Sequence, residues 1–417
     1  MATATPTRSG TPTLLVRGLL IAATLMLIAT AIASVGYFRQ SAGPASPDLF
    51  GNDYLSFYAA GKLALSGDPR AAYDRDAHVH EQQAVAAAAK GGGVVADTYY
   101  FAYPPTYLVL MAAVSALPYY ASLAAFLAAT ALLYVLALWR IWPGWRTVLC
   151  GLAAPAASIC LGFGQNGFLT AGLVVLALVL LDRRPWLAGI ALGLLAMKPQ
   201  LGLAFPVVLV ATLRWRVVLS ALATVAVSAA VSLLLFGAGT WRAFFAISDA
   251  SRSGLLESNG VGFDKIQSLF AVLRLYGIPM AAAYAAQLAL LLAIAFVLVV
   301  LWRSAADYRL KAAAAAVGTV LMTPFVLSYD LVVEVAAIVW FASYARDHGF
   351  RTGELGLLAA VTLSPELAAT GVLGSPPYGL AGMAALFALV VFRARADAAP
   401  VLAASRSPAL DPHRAAG

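Results

Sequence analysis

Charge is scarce in this sequence. Of its 417 residues only 11% are Asp, Glu, Lys or Arg, while 62% are hydrophobic and the mean hydropathy is +0.85. So little polar surface cannot cover a soluble globule of this size, which leaves a polytopic integral membrane protein of all-α class. Cysteine is nearly absent: Cys150 and Cys160 lie ten residues apart in one apolar segment, too distant along a helix to pair, which excludes a disulfide framework or a thiol metal site. Histidine is as sparse. His78 and His80 share a loop with Asp74, Asp76 and Glu81, but a spacing of two on a helix points the imidazoles to different faces, so both are expected to be solvated and no metal site is expected. The net charge of +8 comes without any basic run interleaved with aromatics, so nucleic acid is not an expected partner. An inverted repeat of the transporter kind is missing too, since Gly and Pro interruptions do not recur at matching places in two halves.

Apolar runs fill the chain instead. Arg8 and Arg17 precede a run at 18–35, and AIAS at 31–34 imitates a signal-peptide cleavage site. The length of the run and the many that follow it predict an uncleaved first span, with residues 1–13 in the cytoplasm. Runs and breakers predict about twelve transmembrane helices, near 14–36, 120–138, 147–162, 166–182, 185–198, 199–213, 217–236, 281–302, 311–327, 330–345, 354–371 and 378–393. With that number the basic stretches at 139–146, 182–184, 214–216, 303–311, 346–351 and 393–395 all face the cytoplasm, as the positive-inside rule requires. One more run, 105–117, would break the parity if it crossed. As a helix it is about 20 Å long against a hydrocarbon core of about 30 Å, so 100–118 is expected as a re-entrant or half-crossing element that walls a site. The pair 185–198 and 199–213 is short as well and is expected to cross or to dip part way as a hairpin. The membrane domain is thus 14–395, and the Ala-, Pro- and Ser-rich residues 396–417 read as a disordered cytoplasmic tail.

Two long connections, 37–104 and 237–280, share the outer side. In the first, Tyr54, Leu55, Phe57, Tyr58 and Leu65 make one face of a helix apolar and aromatic, so it is expected to lie in the membrane interface. A second helix, near 73–90, closes at Gly91-Gly92-Gly93. Asp53, just beyond the exit of the first span, is the strongest candidate for chemistry, because a positioned carboxylate can take the proton of an attacking hydroxyl. It could equally cap a helix that begins at Tyr54.

The run GNDYLSFYAAGKLALSGDP at 51–69, the Tyr73-Asp74 pair, YPP at 103–105, GFGQNG at 162–167 and AGIALGLLAMKPQLGLAFP at 188–206 resemble, in this order, glycosyltransferase family 87 of the GT-C superfamily. The resemblance covers roughly residues 14–345. It implies a fold of about twelve spans with an outward-facing site, a polyprenyl-phosphate sugar donor (mannose being the best-known cargo), no nucleotide sugar, no cofactor, and an inverting transfer to a glycolipid, polysaccharide or protein acceptor. A bacterial inner membrane, with the site toward the periplasm or exterior, is the implied location. By the resemblance Asp53 takes the place of the catalytic aspartate of the first outer loop.

Lys198 sits between two apolar segments on the side where the positive-inside rule disfavours it, and is expected either to stabilise a leaving phosphate or to snorkel from a helix end. Gln165 and Asn166 are expected to hydrogen-bond sugar or phosphate, or to form a plain Asn-Gly turn. Arg252 and Lys265 are further phosphate candidates, with Glu257 and Asp264 as partners, although a solvated loop accounts for all four. Tyr329 and Asp330 open a span in TPFVLSYDLVVEV, where the family often carries a His-containing sequence and this chain has none; Glu334 follows one turn on as a partner for Lys198 or a buried helix carboxylate. The rival reading is a lipid or lipid-linked-sugar flippase. It is disfavoured because a transporter wants its charges near the midplane, and these cluster at one surface. A silent scaffold of the same fold is the third.

Overall fold

A computed structural model describes residues 13–41, 43–369 and 377–406. Among them, helix is the only regular structure apart from one isolated bridge between Ile266 and Leu327. In chain order the helices are α1 (Thr13–Ser41), α2 (Asn52–Leu65), α3 (Arg75–Lys90), α4 (Pro105–Val114), α5 (Tyr119–Ile141), α6 (Trp145–Ala153), α7 (Pro155–Phe163), α8 (Gly167–Leu180), α9 (Pro185–Leu194), α10 (Ala204–Ala211), α11 (Trp215–Ser251), α12 (Leu269–Leu275), α13 (Met280–Arg303), α14 (Tyr308–Leu321), α15 (Val332–His348), α16 (Glu354–Ala369) and α17 (Tyr378–Arg406).

Their ends follow local chemistry. Pro105, Pro155 and Pro185 stand in the first turns of α4, α7 and α9, where a missing N–H costs nothing. Pro155 also breaks the helix at Ala154, so α6 and α7 meet at a bend of 63°. Lys198 cannot continue a helix into Pro199; the chain there is extended (φ −136°, ψ 71°) between two 3₁₀ turns, Leu195–Met197 and Pro199–Gly202. In α11 the sharp kink falls at Gly237, whose φ of 75° and ψ of 166° only glycine adopts freely.

Among the described residues six helices are long and apolar enough to cross a membrane, or seven with the bent α6–α7 pair taken as one span. Twelve is therefore not reached by length and composition, because α8, α9, α10, the 14-residue α14 and Glu354–Pro365 of α16 are too short for that test. The element-by-element pattern matches the sequence reading, with a helix at each of the twelve predicted runs. The 105–117 run folds as the ten-residue α4, too short to span. Residues 1–12 and 407–417 of the expected tails lie outside the described residues, and α17 stays helical through Arg406, into the stretch expected as disordered tail.

The core is built on α8, α14 and α15, with α14 enclosed along most of its length, Leu310 and Ala312–Leu321 being buried. The outer layer is α1, α11 and α13, whose Ile21, Leu25, Leu234 and Phe296 side chains stand exposed in the manner of lipid-facing residues. Contact between α9 and α11 is made at glycines: a Cβ on Gly189 would lie 2.5 Å from the Val217 carbonyl oxygen, and one on Gly193 2.4 Å from Thr224. Small residues let backbones approach where lipid gives no hydrophobic drive.

A second, smaller cluster gathers α2, α4 and the start of α5. Here the interface expectation for α2 is corrected. Tyr54, Leu55, Phe57 and Tyr58 are buried against protein, and only Leu65 is exposed. The cover comes from α4, which approaches closely because Gly61 has no side chain; a Cβ there would sit 2.4 Å from the Met111 carbonyl oxygen. Tyr54 Oη and Ser122 Oγ share a hydrogen bond of 2.6 Å, and Tyr58 donates to the Leu117 carbonyl at 2.9 Å, so the hydroxyls are paired as burial requires.

Candidate active site

Asp53 is held by the geometry of the turn ahead of α2. Gly51 sits at φ 75°, where a side chain would be strained, and a Cβ there would press on the Leu123 side chain at 2.7 Å. Its N–H donates to the Gly162 carbonyl at 3.3 Å, and its own carbonyl accepts from the Tyr119 hydroxyl at 2.9 Å. The helix that follows begins at Asn52, and no side chain caps it. Asp53 therefore lies inside the first turn and is not the cap that its sequence position allowed. Its carboxylate is half-buried and accepts at Oδ2 from Gln165 Nε2 at 2.8 Å.

Burial pushes the Asp53 carboxyl up to about 6. The Gln165 hydrogen bond and the Lys198 and Lys265 cations work against that rise, and Asp97 adds to it. Tyr37, Tyr99, Tyr103, Tyr119 and Tyr329 all lie within reach of its charge.

Gln165 is oriented from behind. The backbone N–H of Asn166 donates to its Oε1 at 3.3 Å, which turns the Nε2 toward Asp53. Asn166 is fully buried at the start of α8, and its Oδ1 accepts from Lys198 Nζ at 3.1 Å. Lys198 also donates to Asp330 Oδ1 at 2.6 Å, and its Nζ stands 4.8 Å from the ring centre of Tyr329 and 5.9 Å from that of Tyr103. Lys198 and Asp330 are 5% and 3% exposed. Asp330 Oδ2 takes the Leu327 N–H at 3.2 Å, which ties the turn before α15 together. Close approach of α8 to that turn depends on Gly167, where a Cβ would lie 2.2 Å from the Tyr329 carbonyl oxygen.

Six of the candidate residues, Asp53, Gln165, Asn166, Lys198, Tyr329 and Asp330, are thus one connected group although they come from four separate stretches of chain. Lys265 is exposed, makes no ion pair among the described residues, and acts on Asp53 through its charge. Arg252 does not join the group: it is exposed and stands 3.6 Å from Asp249 and 3.8 Å from Glu257, while Glu257 accepts from the Tyr284 hydroxyl at 2.9 Å. Asp264 lies beside the Gly262 turn and does not pair with Lys265. Glu334 is buried with Oε2 unbonded and is not the partner of Lys198, because Asp330 reaches that ammonium first from the preceding turn.

The solvated reading of His78 is corrected. It is 3% exposed, with Nε2 3.0 Å from the Ser56 carbonyl and Nδ1 3.2 Å from Gln82, and burial pushes it down to about 4. Its partner carbonyl lies on α2, a contact that no local pattern announces. His80 is exposed. Among the described residues no group of three or more His, Cys, Asp or Glu is placed to hold a metal ion. Sequence reasoning gave no role to Asp97 or Tyr103; the YPP motif flagged the tyrosine, and nothing flagged Asp97.

A family model, glycosyltransferase family 87, matches residues 101–328. The match includes Gln165, Asn166, Lys198 and Lys265 and stops directly before Tyr329 and Asp330, while Asp53 precedes it. No curated protein and no solved structure matches the chain.

Proposed function

This chain belongs to glycosyltransferase family 87, and we propose that it moves a hexose, with mannose as the first choice, from a polyprenyl-phosphate donor to an acceptor hydroxyl at the outer face of a bacterial inner membrane, with Asp53 as general base. The acceptor oxygen attacks the anomeric carbon from the face opposite the phosphate. The bond from that carbon to the phosphate oxygen breaks, and its electron pair leaves with the polyprenyl phosphate. The hydroxyl proton passes to Asp53. Inversion follows from the single displacement, and no nucleotide, cofactor or metal enters the balance.

One observation carries this reading: the Asp53 carboxylate is half-buried with Oδ2 taken by Gln165, which leaves Oδ1 to accept a proton. A carboxyl pushed up to about 6 is ionised at neutral pH and still basic enough to work. Its place outside the matched residues is bridged by Gln165, which lies inside them. The departing phosphate needs positive charge, and Lys265, a cation with no ion pair among the described residues, is the group that supplies it in this reading. Orientation is supported by the distribution of charge. Asp182 with Arg214, and Arg309 with Asp347, lie at the ends of their helices remote from Asp53, among the basic loops expected on the inner side.

Purified protein in lipid nanodiscs, given polyprenyl-phosphate mannose and a lipid acceptor, is expected to release polyprenyl phosphate. Asp53→Asn should lower kcat by about 10²–10⁴-fold while the protein elutes as a folded species. Full turnover in that variant would abandon the assignment.

A further inference from the structure

Lys198 carried a phosphate role in the sequence, and its surroundings argue for a different one. Its ammonium has three N–H donors. Asp330 Oδ1 at 2.6 Å and Asn166 Oδ1 at 3.1 Å take two of them, and the Tyr329 ring lies 4.8 Å away. The pair is almost wholly enclosed, so its charges cancel where neither partner can turn to water. An incoming phosphate would find only the third donor and would set a second negative charge beside the buried Asp330 carboxylate, a costly arrangement.

The same contacts run onward without a gap. Lys198 fixes the Asn166 side chain, the Asn166 backbone N–H holds Gln165 Oε1, and Gln165 Nε2 reaches Asp53 Oδ2. Each link removes a choice from the next. With Oε1 occupied from behind, the amide of Gln165 can present only its donor to the carboxylate.

We propose that the buried Lys198–Asp330 pair is a positioning device for the base, acting through Asn166 and Gln165 on the orientation and proton affinity of Asp53, and not a binding site for the donor phosphate. This deepens the base reading above and rests on it. The charged groups acting on Asp53 are Lys198, Lys265 and Asp97. The titratable hydroxyls are those of Tyr37 on α1, Tyr99 and Tyr103 ahead of α4, Tyr119 on α5 and Tyr329 ahead of α15.

The test is the acid limb of the pH–rate profile, measured with the donor KM in the same nanodisc assay. The double variant Lys198→Met with Asp330→Asn removes both charges together, so no lone buried charge remains, and the new Asn can still accept the Leu327 N–H. Gln165→Met cuts the chain of contacts at the base itself, and Asn166→Leu, which keeps the ion pair but removes its link toward Gln165, takes the place of the double variant in the comparison if that variant fails to fold. Loss of a hydrogen bond to a charged group is expected to move the limb upward by about one to two pH units. Both variants should show that shift, with kcat at neutral pH lowered and the donor KM changed less than about threefold. A double variant whose donor KM rises about tenfold while its limb stays in place would overturn the inference in favour of phosphate binding. A limb moved by Gln165→Met but not by a folded double variant would also overturn it, as would a limb that neither moves. Full turnover by Asp53→Asn sinks the base reading itself; an inactive Asp53→Asn with an unmoved limb sinks only the positioning role.

Discussion

Asp53 and His78 are buried ionisable groups with opposite effects on stability. The native Asp53 carboxyl binds its proton near pH 6 against an ordinary value of 3.8, so its contribution is full below about 4 and is lost as pH rises through 6. His78 protonates near 4 in the native state against 6.5 ordinarily, so its contribution is full above about 6.5 and is lost as pH falls toward 4. The two nearly cancel across one window. Asp53→Asn removes the first, so its Tm should exceed that of the parent at pH 7.5 by about 2 °C or more and should fall more steeply between pH 6.5 and 4. A thermal-melt series by intrinsic fluorescence reads both; parallel pH curves for variant and parent would refute the burial argument. In the assay of the parent protein, kcat/KM should drop about tenfold per pH unit below pH 6, since only ionised Asp53 accepts the proton. Asp53 was legible as a candidate from its place after the first span. Its partner Gln165 was legible as a sugar or phosphate ligand or a turn residue but not as the partner of Asp53, because nothing local shows that the turn at 162–167 touches the start of α2.

At the scale of elements, the site is assembled by glycines that let chain segments touch. Gly51 shapes the entry to α2, Gly61 lets α4 approach, and Gly167 brings the turn carrying Tyr329 and Asp330 against α8. Gly167→Ala places a methyl 2.2 Å from the Tyr329 carbonyl oxygen, which is backbone and cannot swing aside. The expected cost is about 1–3 kcal/mol of stability. Displacing Asp330 from Lys198 should also lower turnover by about tenfold or more, measurable by the phosphate-release assay at a temperature where the variant stays folded. Unchanged turnover would mean that this contact does not position the site. The same close packing explains why α2 was misread. A helix with an aromatic face reads as interfacial until a neighbour is known to cover it, and whether α4 does so depends on the fold around residues far along the chain.

Over the whole molecule the end opposite Asp53 is tied by a second buried ion network. Arg393 donates to Glu354 Oε1 at 2.7 Å, to Asp397 Oδ2 at 2.7 Å and to the Gly349 carbonyl at 2.8 Å, and Arg351 joins Asp397. This network binds α16 and α17 to the end of α15. Residues 332–348 put about 25 Å between it and the turn that carries Asp330. Glu354→Ala takes one buried charged hydrogen bond from Arg393, which keeps Asp397 and the Gly349 carbonyl, and should cost about 1.5–3 kcal/mol, seen as a lowered Tm. Turnover per folded molecule should stay within about twofold, since two sites so far apart with no shared partners act independently. A large loss of turnover in folded protein would show that the two ends are coupled.

Composition and apolar runs alone determined the membrane class, the all-helical architecture, the place of most helices and the short α4, because lipid dictates those features residue by residue along the chain. Tertiary structure alone decided that Asp53 lies within the first turn of α2 against Gln165, that Lys198 is spent on Asp330, that Arg252 stays apart and that His78 is buried. Each of these depends on which distant segments meet, and a buried charge takes its character from the partner that packing brings to it.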